Sequence, residues 1–307
     1  MQLPETLDGW LGLLEVRHGQ SIQLGLDRVR AVRDALQLPQ TCPVFTVGGT
    51  NGKGSTCALL EAVLLAAGYR VGLYTSPHLL RYNERVRING READDAALVD
   101  AFAEVERARG EIPLTYFEHG TLAAWVAFCR AGLDAIILEV GLGGRLDAVN
   151  VFEPDCAIVT SVAMDHMDYL GDSREAIGFE KAGIFRAGRP AICGDPLPPE
   201  SLVAHANAIG AKLSVSGRDF GFSGDQNQWA FWIAGGSRRG GLAYPALRGA
   251  NQLLNAAAVM AACEAVRDLI PVPMQAIRQG FMLVELPGRF QVMPGRPTVV
   301  LDVAHNP

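Results

Sequence analysis

The chain has 307 residues, 49% hydrophobic and 20% charged, which allows one large domain or two modest ones and excludes global disorder. A net charge of −6 without a basic run argues against a nucleic-acid partner, and no apolar run approaches the ~18 residues of a membrane span. The N-terminus lacks a basic start followed by an apolar stretch, and Cys42, Cys57, Cys129, Cys156, Cys193 and Cys263 form no CxxC pair, so a cytoplasmic protein with reduced thiols and no zinc is expected.

In chain order, the pattern predicts a helix over 24–36 and a short β-branched strand over 44–47. A glycine-rich loop, GTNGKGS (49–55), comes next, followed by a helix over 58–67 that Gly68 terminates. A strand over 71–75 precedes helices over 95–108 and 119–131. The runs AIILEV (135–140) and AIVTSV (157–162) read as buried strands, and a helix over 173–185 starts at Ser173. Strands alternating with helices imply an α/β fold with a mostly parallel sheet flanked by helices, whose ligands lie at the carboxyl ends of the strands. Residues 213–248, rich in glycine and aromatics, read as a small antiparallel flap. Helices resume over 251–268 and 273–283, and 298–302 reads as a new buried strand after a Pro/Gly linker. The expected domains are one α/β unit over 1–296 and, at 297–307, the first strand of a second domain of which the rest is absent.

The residues with chemistry gather at strand ends. Glycines between a strand and a helix let several N–H groups converge on one anion, and the helix dipole adds to them. The strict GxxxxGK[ST] pattern is not met, because Val47 holds its first position and Gly54 follows Lys53; 49–55 is therefore a variant phosphate loop. Only three of the 27 basic residues are lysines, Lys53, Lys181 and Lys212, and two of them fall in these motifs. Glu139, at the tip of a buried strand, suits a divalent cation. His166, at the tip of the next, is either a ligand or a structural histidine. On its own segment Lys181 reads as a surface lysine reaching for water. Residues 115–118 (TYFE) are either a wall for a flat heterocycle or a helix-capping segment.

Taken together, GTNGKGS (49–55), TSPHL (75–79), TYFEHGT (115–121), LEVGLGGRLDA (138–148), SVAMDH (161–166), EKAGIF (180–185), LPGRF (286–290) and DVAHNP (302–307) resemble the folylpolyglutamate synthases of the Mur ligase superfamily. The bacterial bifunctional dihydrofolate synthase/folylpolyglutamate synthases are the nearest likeness, and LGLDRV (24–29) extends it. The resemblance implies ATP-dependent ligation of L-glutamate to dihydropteroate or a reduced folate through an acyl phosphate. It implies that the unit over 1–296 binds ATP and that the second domain is Rossmann-like. It implies ATP contacts at Thr50, Asn51, Gly52, Lys53, Gly54 and Ser55, with Asn255, Arg289, Asp302 and His305 on the far wall. Ser76 and Glu139 would ligate one Mg²⁺; Glu139, His166 and a carbamylated Lys181 would ligate a second, and a monovalent cation is a further implied cofactor. Lys53, Lys181 and His166 would be catalytic. The acceptor would meet Thr115, Tyr116, Phe117, Glu118, Leu146, Asp147 and Ala148, with His18 and Ser21 added on weaker matching. Small-molecule partners and a monomer are expected, without nucleic acid or membrane. Family members run on for roughly another hundred residues, so turnover by this chain alone is in question. A cell-wall Mur ligase and a nucleotide-binding fragment without turnover are the alternatives.

Overall fold

The computed structural model describes residues 3–17, 23–236 and 238–303. Helices α1 (Leu7–Arg17) and α2 (Asp27–Leu36) precede the first strand, β1 (Val44–Gly48), which runs through the glycine-rich loop into α3 (Lys53–Ala66). Strand β2 (Val71–Tyr74) leads to a hairpin of β3 (Val86–Ile88) and β4 (Arg91–Glu92). Helices α4 (Asp95–Arg109) and α5 (Tyr116–Ala131) follow, then β5 (Ala135–Glu139) and β6 (Cys156–Val159). The next elements are α6 (Met167–Leu170), α7 (Arg174–Ala182), β7 (Pro190–Cys193), α8 (Glu200–Ile209) and β8 (Lys212–Val215). Strands β9 (Phe220–Gly224), β10 (Trp229–Ile233) and β11 (Arg238–Leu242) form a separate antiparallel sheet. Helices α9 (Gln252–Ala265) and α10 (Met274–Leu283) and the hairpin β12 (Gln291–Met293)–β13 (Val299–Leu301) complete the chain.

The main sheet has the order β4-β3-β2-β5-β1-β6-β7-β8. Its six strands from β2 to β8 are parallel, and the β3–β4 hairpin closes one edge antiparallel. Because β1 and β5 are covered on both faces, every residue in them is buried and the runs are apolar apart from Thr46 and the terminal Glu139. Side chains still alternate. Val44, Ile136 and Leu138 enter a core shared with α1, α2, α4 and α5, whereas Phe45, Val47 and Ile137 enter a second core beneath α3, α9 and α10. The register pairs Val47 with Glu139 and with Ile158, so the ends of β5, β1 and β6 lie side by side.

Local signals set the helix ends. Asp94 and Ser173 accept from Ala97 N and Ala176 N, and Thr115 and Glu118 form a reciprocal capping box. Three expectations shift. Residues 212–215 extend the main sheet beside β7, so the flap begins at Phe220. The expected strand 298–302 appears as β13, but it pairs antiparallel with β12 and is exposed. The β7–α8 unit, which sequence patterning did not separate, fills the sheet between β6 and β8.

Helix α1 is pinned by Arg17, which pairs with Glu106 at 2.6 Å, and by Trp10, which packs on Phe102 and His119 at ring-centroid distances of 5.9 and 6.0 Å. His119 is fully buried; its Nε2 lies 3.2 Å from Phe102 O, and burial pushes its pKa down to about 4. The unfolded chain takes up this proton near pH 6.5 while the folded one does not. Stability is therefore complete above pH 6.5 and declines as pH falls toward 4, by about 3 kcal/mol in all. Urea unfolding near pH 7 and near pH 5 should show His119→Gln losing roughly 2 kcal/mol less than the wild type over that interval. Equal losses would remove His119 as the source.

Candidate active site

The loop between β1 and α3 is held open by its neighbours rather than by itself. Gly49 and Gly52 have positive φ, and a Cβ on them would lie 1.9 Å from Thr160 Oγ1 and 2.6 Å from Asn255 Oδ1, so no other residue fits. The turn after β6 clamps the loop. Thr50 N–H donates to Ser161 O (2.8 Å), Ala163 N–H donates to Thr50 Oγ1 (3.0 Å), Asn51 N–H donates to Ser161 Oγ (3.0 Å) and Thr160 Oγ1 donates to Asn51 O (2.6 Å). Lys53 Nζ donates to Gly49 O and Thr50 O, both at 3.1 Å, which places its charge over the loop. Ser55 sits in the first turn of α3, where Gln252 Nε2 reaches its hydroxyl at 3.4 Å; Asn255 Nδ2 donates in turn to Gln252 Oε1.

Beside this loop, Glu139 ends β5 with 3% of its surface exposed and accepts from Ser76 N–H at 3.1 Å. Burial raises its pKa, and the Lys53 charge, the Ser76 N–H and Arg289 oppose the rise. A buried carboxylate beside Ser76 and an anion-binding loop fits a divalent cation. His166 adopts a left-handed conformation at the start of α6, with Nε2 3.7 Å from Asp165 Oδ2. Lys181 is buried on α7; burial first, then the Lys53 charge, pushes its pKa down to about 7. Among the described residues no three His, Cys, Asp or Glu side chains converge as a metal cage. A second cation there would draw on the imidazole and on Lys181, whose amine ligates Mg²⁺ only after conversion to a carboxylate.

The phosphate loop, Ser76, Glu139 and His166 open onto one cavity of about 740 Å³. Its far side carries Phe117, whose ring lies 6.0 Å from Tyr74 and so close to Gly141 that a Cβ there would lie 2.6 Å from the ring. Asp147 is fully buried, accepts from Leu142 N–H (2.8 Å) and Val149 N–H (3.0 Å), and is pushed up to about 7 by burial. Arg85 also lines the cavity; it stacks over Tyr82 and Tyr116 and donates from Nε to His78 Nδ1 at 2.8 Å.

The Mur ligase middle domain family matches residues 47–194. Over all 307 residues the chain is 49% identical to the dihydrofolate synthase/folylpolyglutamate synthase of Escherichia coli, and it spans 71% of that protein's length. The chain belongs to the dihydrofolate synthase/folylpolyglutamate synthase family. The Haemophilus influenzae member is 43% identical, with 73% of its length covered. The solved E. coli enzyme in complex with DHPP and ADP superimposes with a TM-score of 0.94, covering all of this chain and 72% of that one. A bifunctional folylpolyglutamate synthase/dihydrofolate synthase with Mn, AMPPNP and L-glutamate bound, 49% identical, gives 0.92 over 99% of this chain and 73% of its own.

Of the residues that the likeness to this family nominated, Thr50 to Ser55, Ser76, Glu139, His166, Asn255, Arg289 and Asp302 line the cavity, as do Thr115, Phe117, Glu118 and Leu146 to Ala148. Two do not line it. Tyr116 packs edge-on against Tyr82 instead, and Lys181 is buried on α7. His18, Ser21 and His305 lie outside the described residues. Residues 115–118 prove to be both a cavity wall and a capping box. Thr160, Ser161, Gln252 and Arg28 were not nominated, because each acts through a partner 90 or more positions away in sequence.

Proposed function

We propose that this chain carries out the ATP-dependent ligation of L-glutamate to dihydropteroate, giving dihydrofolate, and to reduced folates, giving folylpolyglutamates. The observation that carries it is the single cavity in which the phosphate loop and Glu139 meet the Phe117–Asp147 wall, in a chain aligned over its whole length with relatives of that name. Two relatives whose structures hold DHPP with ADP, and Mn with AMPPNP and L-glutamate, support ATP and a divalent cation as requirements here.

In this reading the N–H groups of 52–55 and the Lys53 ammonium hold the ATP phosphates, as the arrangement of a helix N-terminus and a cationic side chain favours, while Thr50 and Asn51, whose N–H groups are taken up by Ser161, shape the loop around them. Asn255, Arg289 and Asp302 take the nucleoside side. Ser76 and Glu139 hold one Mg²⁺, and Glu139, His166 and carbamylated Lys181 hold the other; when bound, such ions neutralise charge on the phosphoryl group in transfer. Phe117 supplies a stacking face, and Asp147 supplies a carboxyl near neutrality for the polar edge of a pterin. The walls of the cavity keep water from the acyl phosphate until the amine of glutamate attacks it. Residues 1–296 form the ATP-binding unit in this proposal and 297–307 lead into a second domain; the enzyme is taken as a cytoplasmic monomer. Among the described residues no helix is long and apolar enough to cross a membrane.

Phosphate release from ATP should require dihydropteroate and glutamate together. Release that ignores both would favour the nucleotide-binding alternative, and release driven by a UDP-linked peptide would favour the cell-wall one.

A further inference from the structure

The acceptor side of the cavity is assembled from segments far apart in sequence, 23–25, 115–118 and 146–148. One side chain joins the first to the second. Arg28 Nη2 donates to Gln23 O at 3.0 Å and to Glu118 Oε1 at 2.8 Å, and its Nε reaches Glu118 Oε2 at 3.4 Å. The same Oε2 accepts from Thr115 N–H at 2.8 Å. Gly25 N–H donates to Leu146 O at 3.3 Å, which brings the third segment into the same assembly.

Two features set this pair apart from a surface ion pair. Glu118 is 3% exposed and both its oxygens are engaged by protein donors, so little of its hydrogen-bonding capacity is left for a ligand. Arg28 stands in the first turn of α2, where the helix dipole disfavours a cation, so its position is set by the tertiary pairing and not by the helix. A planar guanidinium can serve the Gln23 carbonyl and both carboxylate oxygens at once; a single ammonium on a flexible stem cannot hold that geometry.

We propose that Arg28 is a positioning residue for the acceptor: through Glu118 and the Gln23 carbonyl it fixes the spacing of the three wall segments, and Glu118 acts with it instead of touching the acceptor. The proposal rests on reading this wall as the pteroate side. Without Arg28, the 23–25 segment loses its tie to 115–118, keeping only the Gly25 bond to Leu146, and Glu118 keeps a buried charge with only the Thr115 N–H opposite. The nucleotide side, built on α3 and α9, is untouched.

The test is equilibrium binding of dihydropteroate, in saturating Mg-AMPPNP, and of AMPPNP alone, to the wild type, Arg28→Met, Arg28→Lys, Glu118→Gln and the Arg28→Met/Glu118→Gln double variant. Glutamine at 118 keeps the capping box while removing the charge. Each of Arg28→Met and Glu118→Gln should weaken dihydropteroate about tenfold with AMPPNP affinity within about twofold of wild type, and the double variant should be no weaker than the worse single. Arg28→Lys should fall between. Wild-type dihydropteroate affinity in Arg28→Met overturns the inference. So does parallel weakening of both ligands, and so do single effects that add fully in the double variant. If Arg28→Met loses its cooperative melt, Arg28→Lys carries the same comparison. A wild type that binds AMPPNP but no dihydropteroate overturns the functional reading itself.

Discussion

Lys53→Ala should abolish ATP-dependent ligation, by on the order of 10³-fold or more, in a protein that still folds. The hydrogen bonds of Lys53 Nζ run to the carbonyls of its own loop, Gly49 O and Thr50 O, so the rest of the fold loses little when it goes. Its absence removes the one lysine charge at the phosphate loop, and it acts at a distance as well. The Lys53 charge opposes the burial that raises Glu139, and it adds to the burial that lowers Lys181. Without it Glu139 is more readily protonated and Lys181 is more readily charged, both changes that work against cation binding. Lys53→Arg should fail too, since a forked guanidinium does not fit a cradle in which Cβ atoms are already excluded at positions 49 and 52. Phosphate release and the thermal midpoint, measured together, check this. Near-wild-type turnover in a folded Lys53→Ala protein would remove the loop from the mechanism.

The second large effect concerns Lys181, expected to be carbamylated in the metal- and nucleotide-loaded protein. A bare ammonium beside a divalent cation is repelled, and addition of CO₂ to the neutral amine turns it into a carboxylate ligand. The sign with pH follows from the lowered pKa. With the ordinary value of 10.5 brought down to about 7, the amine is mostly neutral above pH 7 and protonated below, so carbamylation and activity should fall as pH drops through 7 or as CO₂ is stripped away. Lys181→Ala should be inactive and partly restored by acetate or propionate, whereas Lys181→Arg should be inactive and beyond rescue. Electron density of the loaded protein showing an unmodified lysine turned to solvent, together with no rescue by carboxylates, would refute the assignment.

Much of this site was legible in the linear sequence for a physical reason. The phosphate loop, Ser76, Glu139 and His166 follow short apolar runs whose burial in a parallel sheet aligns their carboxyl ends. The central strands were visible because both faces of the sheet are covered. What stayed hidden depends on distant pairing. The β3–β4 hairpin is only three and two residues long, too short for a period to show. The β7 strand opens on a proline, which masked it. Ser161 and Thr160 look like ordinary strand-end hydroxyls until Asn51, some 110 positions earlier, is seen against them. Glu118 illustrates a subtler limit: the TYFE segment allowed both a cap and a cavity wall, and the fold uses it as both.

The alternation along β1 and β5 divides the interior into two cores, and the residues proposed for the acceptor and those proposed for the nucleotide fall on opposite sides of that divide. Phe117, Glu118 and Asp147 are carried by elements rooted in the α1–α2–α4–α5 core, while Ser55 and Asn255 are carried by helices rooted in the α3–α9–α10 core. A buried change at Ile136 or Leu138 therefore presses on the acceptor side, and one at Ile137 presses on the nucleotide side, although the three are consecutive residues of one strand. Such a partition lets acceptor choice drift by mutation while ATP handling is left in place: the sheet works as a bulkhead between a compartment that can vary and one that cannot.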